Sequence, residues 1–262
     1  MGNSFMGKII SVVLPKGGVG KTTSAVNLAY YFAKKKYKTL IIDLDPIATC
    51  SFSLGFNKEN IFGDIFDVFS YSKSIEAVIH PTGIDNLDCI PQIKLSKVEE
   101  GRQLKLISNE YLLRNIIKTI STNYRFIIFD CPPYLFGPTN LALIASDSVL
   151  IPIRTDEYSF EALDDLINRI DYINKTYNQK LTIEGIFITS YEKNIRASFK
   201  VKAKLFELKS AVMLNKSIPK DANMMNATFS KRPLGLASPS SRAAVAYKEL
   251  AEEIILRNFG II

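Results

Sequence analysis

Lys16-Gly17-Gly18-Val19-Gly20-Lys21-Thr22-Thr23 sets three glycines, two lysines and two hydroxyls in eight consecutive residues. Glycines let a backbone curl until successive N–H groups converge on phosphate oxygens. A lysine and a threonine directly after the last glycine can supply a mobile positive charge for the outer phosphates of a nucleotide and a hydroxyl for Mg2+. The usual form of such a loop carries Gly five positions before its last glycine, where this chain has Pro15. Lys16 comes next. Two ammonium groups in one loop would converge on the same phosphates, and reaching a neighbouring subunit's nucleotide is one geometric solution for Lys16.

Three carboxylates could complete the chemistry. Asp43 and Asp45 close an apolar run that stops at Pro46, and alternation along a strand would set both on one face. One of the pair can hold the hydration shell of Mg2+ while the other orients an attacking water, the positioning work that phosphoryl transfer chiefly needs. Asp130 follows four apolar residues from Phe126, a Walker B pattern for holding Mg2+ through water. Thr22, Asp43 and Asp130 are therefore the candidate metal ligands. Cys131 reads as a small buried residue rather than a nucleophile, because no histidine lies near it in sequence. The chain's one histidine, His80, precedes Pro81 in an expected loop.

These residues must be positioned by strands. Short apolar runs at 8–14, 39–44, 87–90, 126–130, 148–153, 182–189 and 213–218 read as strands, and amphipathic stretches at 22–36, 104–120, 160–176, 197–212 and 241–258 read as helices. Such alternation predicts an α/β fold, a P-loop NTPase domain with a mostly parallel twisted sheet flanked by helices, Rossmann-like in layout. Ligands bind at the carboxyl ends of such strands, where the loop and all three acids fall. No repeat or composition break divides the chain, so 1–262 is expected to be one domain. Ser240 or Ser241 can cap the last helix.

Composition narrows the class further. The chain has 262 residues, 47% hydrophobic, enough for a sizeable core and too apolar for disorder. Three dispersed cysteines form no CxxC pair, which argues against a disulfide framework or structural zinc and for a reducing cytosol. No signal peptide is evident, position 6 is Met rather than the Ser or Thr that myristoylation wants, and no stretch reads as a membrane span.

Taken together, Lys16 to Thr23, Asp43-Leu-Asp-Pro46 and Phe129-Asp-Cys-Pro-Pro133 resemble the ParA/Soj family of partition ATPases with a deviant Walker A loop. Ala145-Ser-Asp-Ser-Val-Leu-Ile-Pro152, Ile218-Pro219-Lys220 and Ser240-Ser-Arg-Ala-Ala-Val-Ala-Tyr-Lys-Glu-Leu250 extend the likeness over nearly the whole chain. The resemblance implies ATP or ADP with Mg2+ as cofactors, Pro219 beside the nucleotide, and an ATP-sandwich homodimer. In that dimer Lys16 contacts the partner's ATP, Gly17 to Thr23 cradle phosphate, and Asp45 positions the water. It further implies non-specific DNA binding, hydrolysis stimulated by a ParB-type partner, and a cytoplasmic, nucleoid-associated location. Only about seven residues precede the first expected strand, so no N-terminal helix-turn-helix domain is expected. Three positions depart from the family: Pro15 stands for a polar residue, Ile47 for Gln, and Asn223 for a DNA-facing arginine.

The formal net charge of +7 is not spread evenly. Residues 193–232 hold ten basic side chains against two acids, and the other 222 residues hold 23 against 24. At 100° per residue Arg196, Lys200 and Lys204 share a helical stripe, with Lys193 just before it. Such a stripe suits strong, salt-sensitive phosphate contacts. A MinD-like membrane positioner is the alternative reading. It calls for a basic amphipathic terminal helix, whereas 254–262 is apolar with one basic residue, so no stable membrane association is expected. A tyrosine autokinase would want a C-terminal tyrosine cluster, and the last 50 residues hold only Tyr247. A nitrogenase-like iron protein would need paired cluster cysteines.

Overall fold

The computed structural model describes residues 7–192, 203 and 212–260. Its strands are β1 (Lys8–Val12), β2 (Thr39–Asp43), β3 (His80–Ile84), β4 (Leu87–Ile90), β5 (Phe126–Asp130), β6 (Ser148–Ile153) and β7 (Thr182–Ile188). They form one sheet in the order β3-β4-β2-β5-β1-β6-β7, parallel throughout except for β3 against β4. Every residue of β2, β5 and β6 is buried, as expected where helices cover both faces of a parallel sheet.

The helices are α1 (Lys21–Lys34), α2 (Thr49–Ser53), α3 (Ile65–Phe69), α4 (Lys97–Leu106), α5 (Leu112–Ile120), α6 (Pro138–Ala145), α7 (Glu157–Thr176), α8 (Asn223–Phe229), α9 (Leu234–Ala237) and α10 (Arg242–Phe259). Strand alternation divides the core between the two faces. Ile9, Leu40, Ile42, Ile127 and Phe129 pack on one face with α3, α5, α6 and α7. Ile10, Val12, Ile41, Phe126 and Ile128 pack on the other with α1 and α10. Tyr247 of α10 shares a 3.0 Å hydroxyl contact with Ser24 of α1, tying the last helix to the one behind the glycine loop.

Several expectations change. Residues 104–120 are two helices, because α4 ends at Leu106 and the chain turns before α5. His80 lies in strand β3, not a loop: Pro81 donates no ladder hydrogen bond, and the antiparallel edge tolerates it. Residues 213–218 run beside β7 with an isolated bridge from Met213 to Ile186, and Pro219 bridges Tyr191 just past the strand, so the segment is not itself a strand. The short helices α2, α3, α8 and α9, and α6 with Pro138 at its start, have no counterpart in the expected elements. Ser241, not Ser240, caps α10 by accepting from Ala244 N at 3.2 Å. The helix expected at 197–212 falls almost wholly outside the described residues.

Candidate active site

The glycine loop joins β1 to α1. Gly18 and Gly20 have φ of +73° and +88°, a left-handed backbone that side-chain-bearing residues adopt only with strain. Gly20 is the N-cap of α1 and provides no side-chain cap, and the first turn has no acid. The helix dipole and first-turn amides are thus left for an anion. Lys21 is buried, and its Nζ donates to the Lys16 carbonyl at 2.8 Å. Burial lowers its pKa, while Asp130, Cys131 and Asp45 pull the other way. From the end of β7, Thr189 Oγ1 donates to the Val19 carbonyl at 2.8 Å and braces the loop.

The acids meet beside it. Parallel register aligns Val12, Asp130 and Asp43 at the carboxyl ends of β1, β5 and β2. Asp130 is fully buried, and neither carboxylate oxygen has a hydrogen-bond partner of good geometry. Burial pushes its pKa well up and the Asp43 charge adds to this, with the Thr22 hydroxyl and the Lys21 ammonium opposing. A buried carboxylate with no well-aligned hydrogen bond is expensive, and a divalent cation with its bound waters is the group that would relieve it. Thr22 and Asp130 fit Mg2+ on that observation.

Asp43 is placed differently. Its Oδ2 accepts from Ser51 N at 2.8 Å and Ser51 Oγ at 2.7 Å, and its Oδ1 from Asp45 N at 3.1 Å. It therefore anchors α2 to the end of β2 with both oxygens occupied. Burial raises its pKa against those hydrogen bonds. The strand ends at Asp43, so the simple alternation expected for Asp43 and Asp45 does not hold beyond it. Asp45 sits in the turn, its Oδ1 accepting from Ile47 N at 2.9 Å and its charge acting on Lys21. Burial raises Asp45 too, opposed by the Ile47 amide and Lys21. A cavity of about 360 Å3 opens there, lined by Asp45, Ile47, Lys94, Glu100 and Tyr134. Ile47 is 61% exposed at this mouth, so it fills no core position.

The two loop lysines part company. Lys21 turns inward, whereas Lys16 Nζ is paired with Asp156 and donates to Ser159 Oγ at 3.0 Å, with the Tyr158 ring centroid 5.7 Å away. Pro219 bridges to Tyr191, two residues past Thr189, and so lies at the same end of the sheet. Lys193, Arg196, Lys200 and Lys204 lie outside the described residues.

Residues 7–183 match the AAA domain family. Over 95% of its length the chain is 33% identical to the sporulation initiation inhibitor protein Soj of Bacillus subtilis strain 168, covering 98% of that protein. It is 30% identical to the chromosome partitioning protein ParA of Myxococcus xanthus, over 98% of this chain and 91% of that one. The chain belongs to the ParA/Soj family. It is an ATPase of the MinD/ParA superfamily. The septum site-determining protein MinD of Pyrococcus horikoshii, complexed with Mg-ADP, superposes with a TM-score of 0.80 at 25% identity, covering 97% of this chain and 98% of that one. A variant of McdA from Cyanothece in complex with ATP shares the fold, with a TM-score of 0.85 at 19% identity over 95% of this chain and 96% of that one.

In this ParA/Soj chain, sequence reasoning missed four residues that hold the site together: Ser51, Asp156, Ser159 and Thr189. Asp156 and Ser159 had a signal in the cap pattern, an acid before an expected helix with a hydroxyl three residues on. Starting that helix at 160 hid it. Ser51 and Thr189 carried no local signal, because each acts on a group far from it in sequence.

Proposed function

We propose that this ATPase is a chromosome or plasmid partition switch. It binds ATP with Mg2+ on Gly17 to Thr23, with Lys21 on the outer phosphates and Thr22 and Asp130 on the metal side, Asp43 holding the neighbouring strand end. Two ATP-bound subunits pair face to face, Lys16 of each reaching the other's ATP and Pro219 flanking the nucleotide. Asp45 orients the attacking water. The dimer binds DNA without sequence preference through 193–232, a ParB-type protein stimulates hydrolysis, and ADP-bound monomers leave the nucleoid for the cytoplasm. One domain does this work.

The observation that carries the reading is the separation of the two lysines: Lys21 is directed into its own loop while the Lys16 ammonium lies outside it. A lysine that adds nothing to its own phosphate site is available to another. The MinD-like alternative needs a free apolar face on the last helix. In α10, Tyr247, Leu250, Ala251, Ile254 and Ile255 are all buried, and no helix among the described residues is long and apolar enough to cross a membrane.

Binding to random-sequence duplex and to anionic vesicles, each with ADP and with ATP, tests the reading. Duplex binding should require ATP, and its salt dependence should weaken in the Arg196→Glu, Lys200→Glu double variant, since each lost phosphate contact lowers the salt slope by about 0.9. Vesicle binding without duplex binding would replace the partition reading by the membrane one.

A further inference from the structure

Lys16 is not idle where it lies. Its ammonium spends one donor on the Asp156 carboxylate and another on Ser159 Oγ at 3.0 Å. Those acceptors are tied to each other. Asp156 is the N-cap of α7, and its Oδ1 accepts from Ser159 N and Ser159 Oγ, both at 3.0 Å. Ser159 is fully buried, while the Lys16 and Asp156 side chains are 24% and 38% exposed. The pair is thus anchored on one side by a helix and open to solvent on the other. The Lys16 ammonium lowers the pKa of Asp156, as does the Ser159 hydroxyl, against the effect of partial burial.

We propose that Asp156, with Ser159, holds Lys16 on its own subunit and so restrains ATP-driven pairing. Asp156 is a positioning residue: it acts through Lys16 and touches no nucleotide. This rests on the reading above that Lys16 serves the partner's ATP. A lysine with two of three donors engaged in its own chain must release them, at least in part, before it can reach across an interface. A half-exposed ion pair is weak, worth at most about a fivefold change in an equilibrium. The multiply charged phosphates of a partner's ATP can overcome such a pair. Without ATP nothing competes with Asp156, and the restraint then disfavours pairing without nucleotide.

Asp156→Asn separates this role from helix capping, because asparagine caps a helix as well as aspartate and lacks the charge. Two measurements apply. In nucleotide-free protein, Lys16 should acylate more slowly than Lys97, whose side chain is 94% exposed, and Asp156→Asn should raise the Lys16 rate severalfold. In an ATP titration followed by light scattering, Asp156→Asn should reach half-dimerisation at about two- to fivefold lower ATP. In a Lys16→Ala background the same change should do nothing, since the coupling runs only through that pair. Unchanged Lys16 labelling in Asp156→Asn, or pairing that needs more ATP, would overturn the proposal. A wild-type chain that forms no ATP dimer would instead overturn the dimer reading, and labelling would still decide whether Asp156 holds Lys16.

Discussion

Asp45 and Asp43 differ by two positions and by environment. Asp43 has both oxygens held by Ser51 and the Asp45 amide, while Asp45 gives one oxygen to Ile47 N and borders the open cavity. Of these two, Asp45 is the one with a whole carboxylate oxygen to spare for a water. Asp45→Ala should therefore keep ATP binding, cut single-turnover hydrolysis by about 100-fold or more, and leave a long-lived ATP dimer in size-exclusion chromatography. Rapid hydrolysis by that variant would remove Asp45 from the water-positioning role. The identity of the acids was legible from Asp-x-Asp-Pro and from Asp130 closing an apolar run. Their division of labour was not, because it depends on Ser51, which reaches Asp43 only once α2 has folded back over the end of β2.

At the scale of elements, the sheet's far edge shows how one bend serves two purposes. The β6–β7 register shifts between Val149 and Leu150, leaving Glu184 as the extra residue of a bulge. Glu184 there collects Ser148 Oγ at 2.5 Å, Lys8 Nζ at 3.1 Å and Asn258 Nδ2 at 2.6 Å. Gly185 follows, and the chain at 212–218 packs directly on it: a Cβ at 185 would meet the Leu214 side chain at 2.5 to 2.8 Å. Leu214 N and Ile218 N also donate to the carbonyls of Ile186 and Ile188 at 2.8 and 2.7 Å. Gly185→Ala should accordingly lower stability by about 1–3 kcal/mol, read as a lower urea midpoint at unchanged slope. Wild-type stability in that variant would mean the segment yields without cost. The parallel strands were legible because burial on both faces demands continuous apolar runs. The edge strand β3 was not, since its His-Pro-Thr-Gly-Ile sequence looks like a turn and pairs only because β4 lies beside it.

For the molecule as a whole, charge and pH carry the distinctive behaviour. A near-neutral ATPase body bears its whole positive excess in 193–232, so the average charge says little about either part. Inside that body His80 is buried in a fully used geometry: Nδ1 bonds to the Val78 carbonyl at 2.8 Å, Nε2 accepts from Phe62 N at 3.1 Å, and the Phe62 ring stacks at 3.8 Å. Burial and nearby Lys73 hold its pKa below the ordinary value, against the Val78 carbonyl and Asp64. The neutral imidazole therefore stabilises the fold above about pH 6.5, and the contribution fades as pH falls, because the unfolded chain then binds a proton that the folded chain refuses. Buried Asp43 and Asp130 act in the opposite sense, their raised pKa values penalising the fold less as pH falls. The share due to His80 is thus the stability of wild type minus that of His80→Gln, from urea unfolding at each pH. That difference should shrink between pH 7.5 and 5.5, and a constant difference would mean that His80 does not titrate in this range.

By itself the sequence determined the chemistry on offer and the architecture that offers it. A glycine loop, an adjacent lysine and threonine, and acids at strand ends are local patterns, and fully buried strands can be written in few ways. Tertiary structure decided which group meets which. Asp156 reaches Lys16 across 140 positions, Thr189 reaches Val19 across 170, and Ser51 holds Asp43 from a separate helix. Such pairings depend on which strand ends the sheet order brings side by side, and hydrophobic periodicity, which reports only the distance of a residue from the core, carries no record of that order.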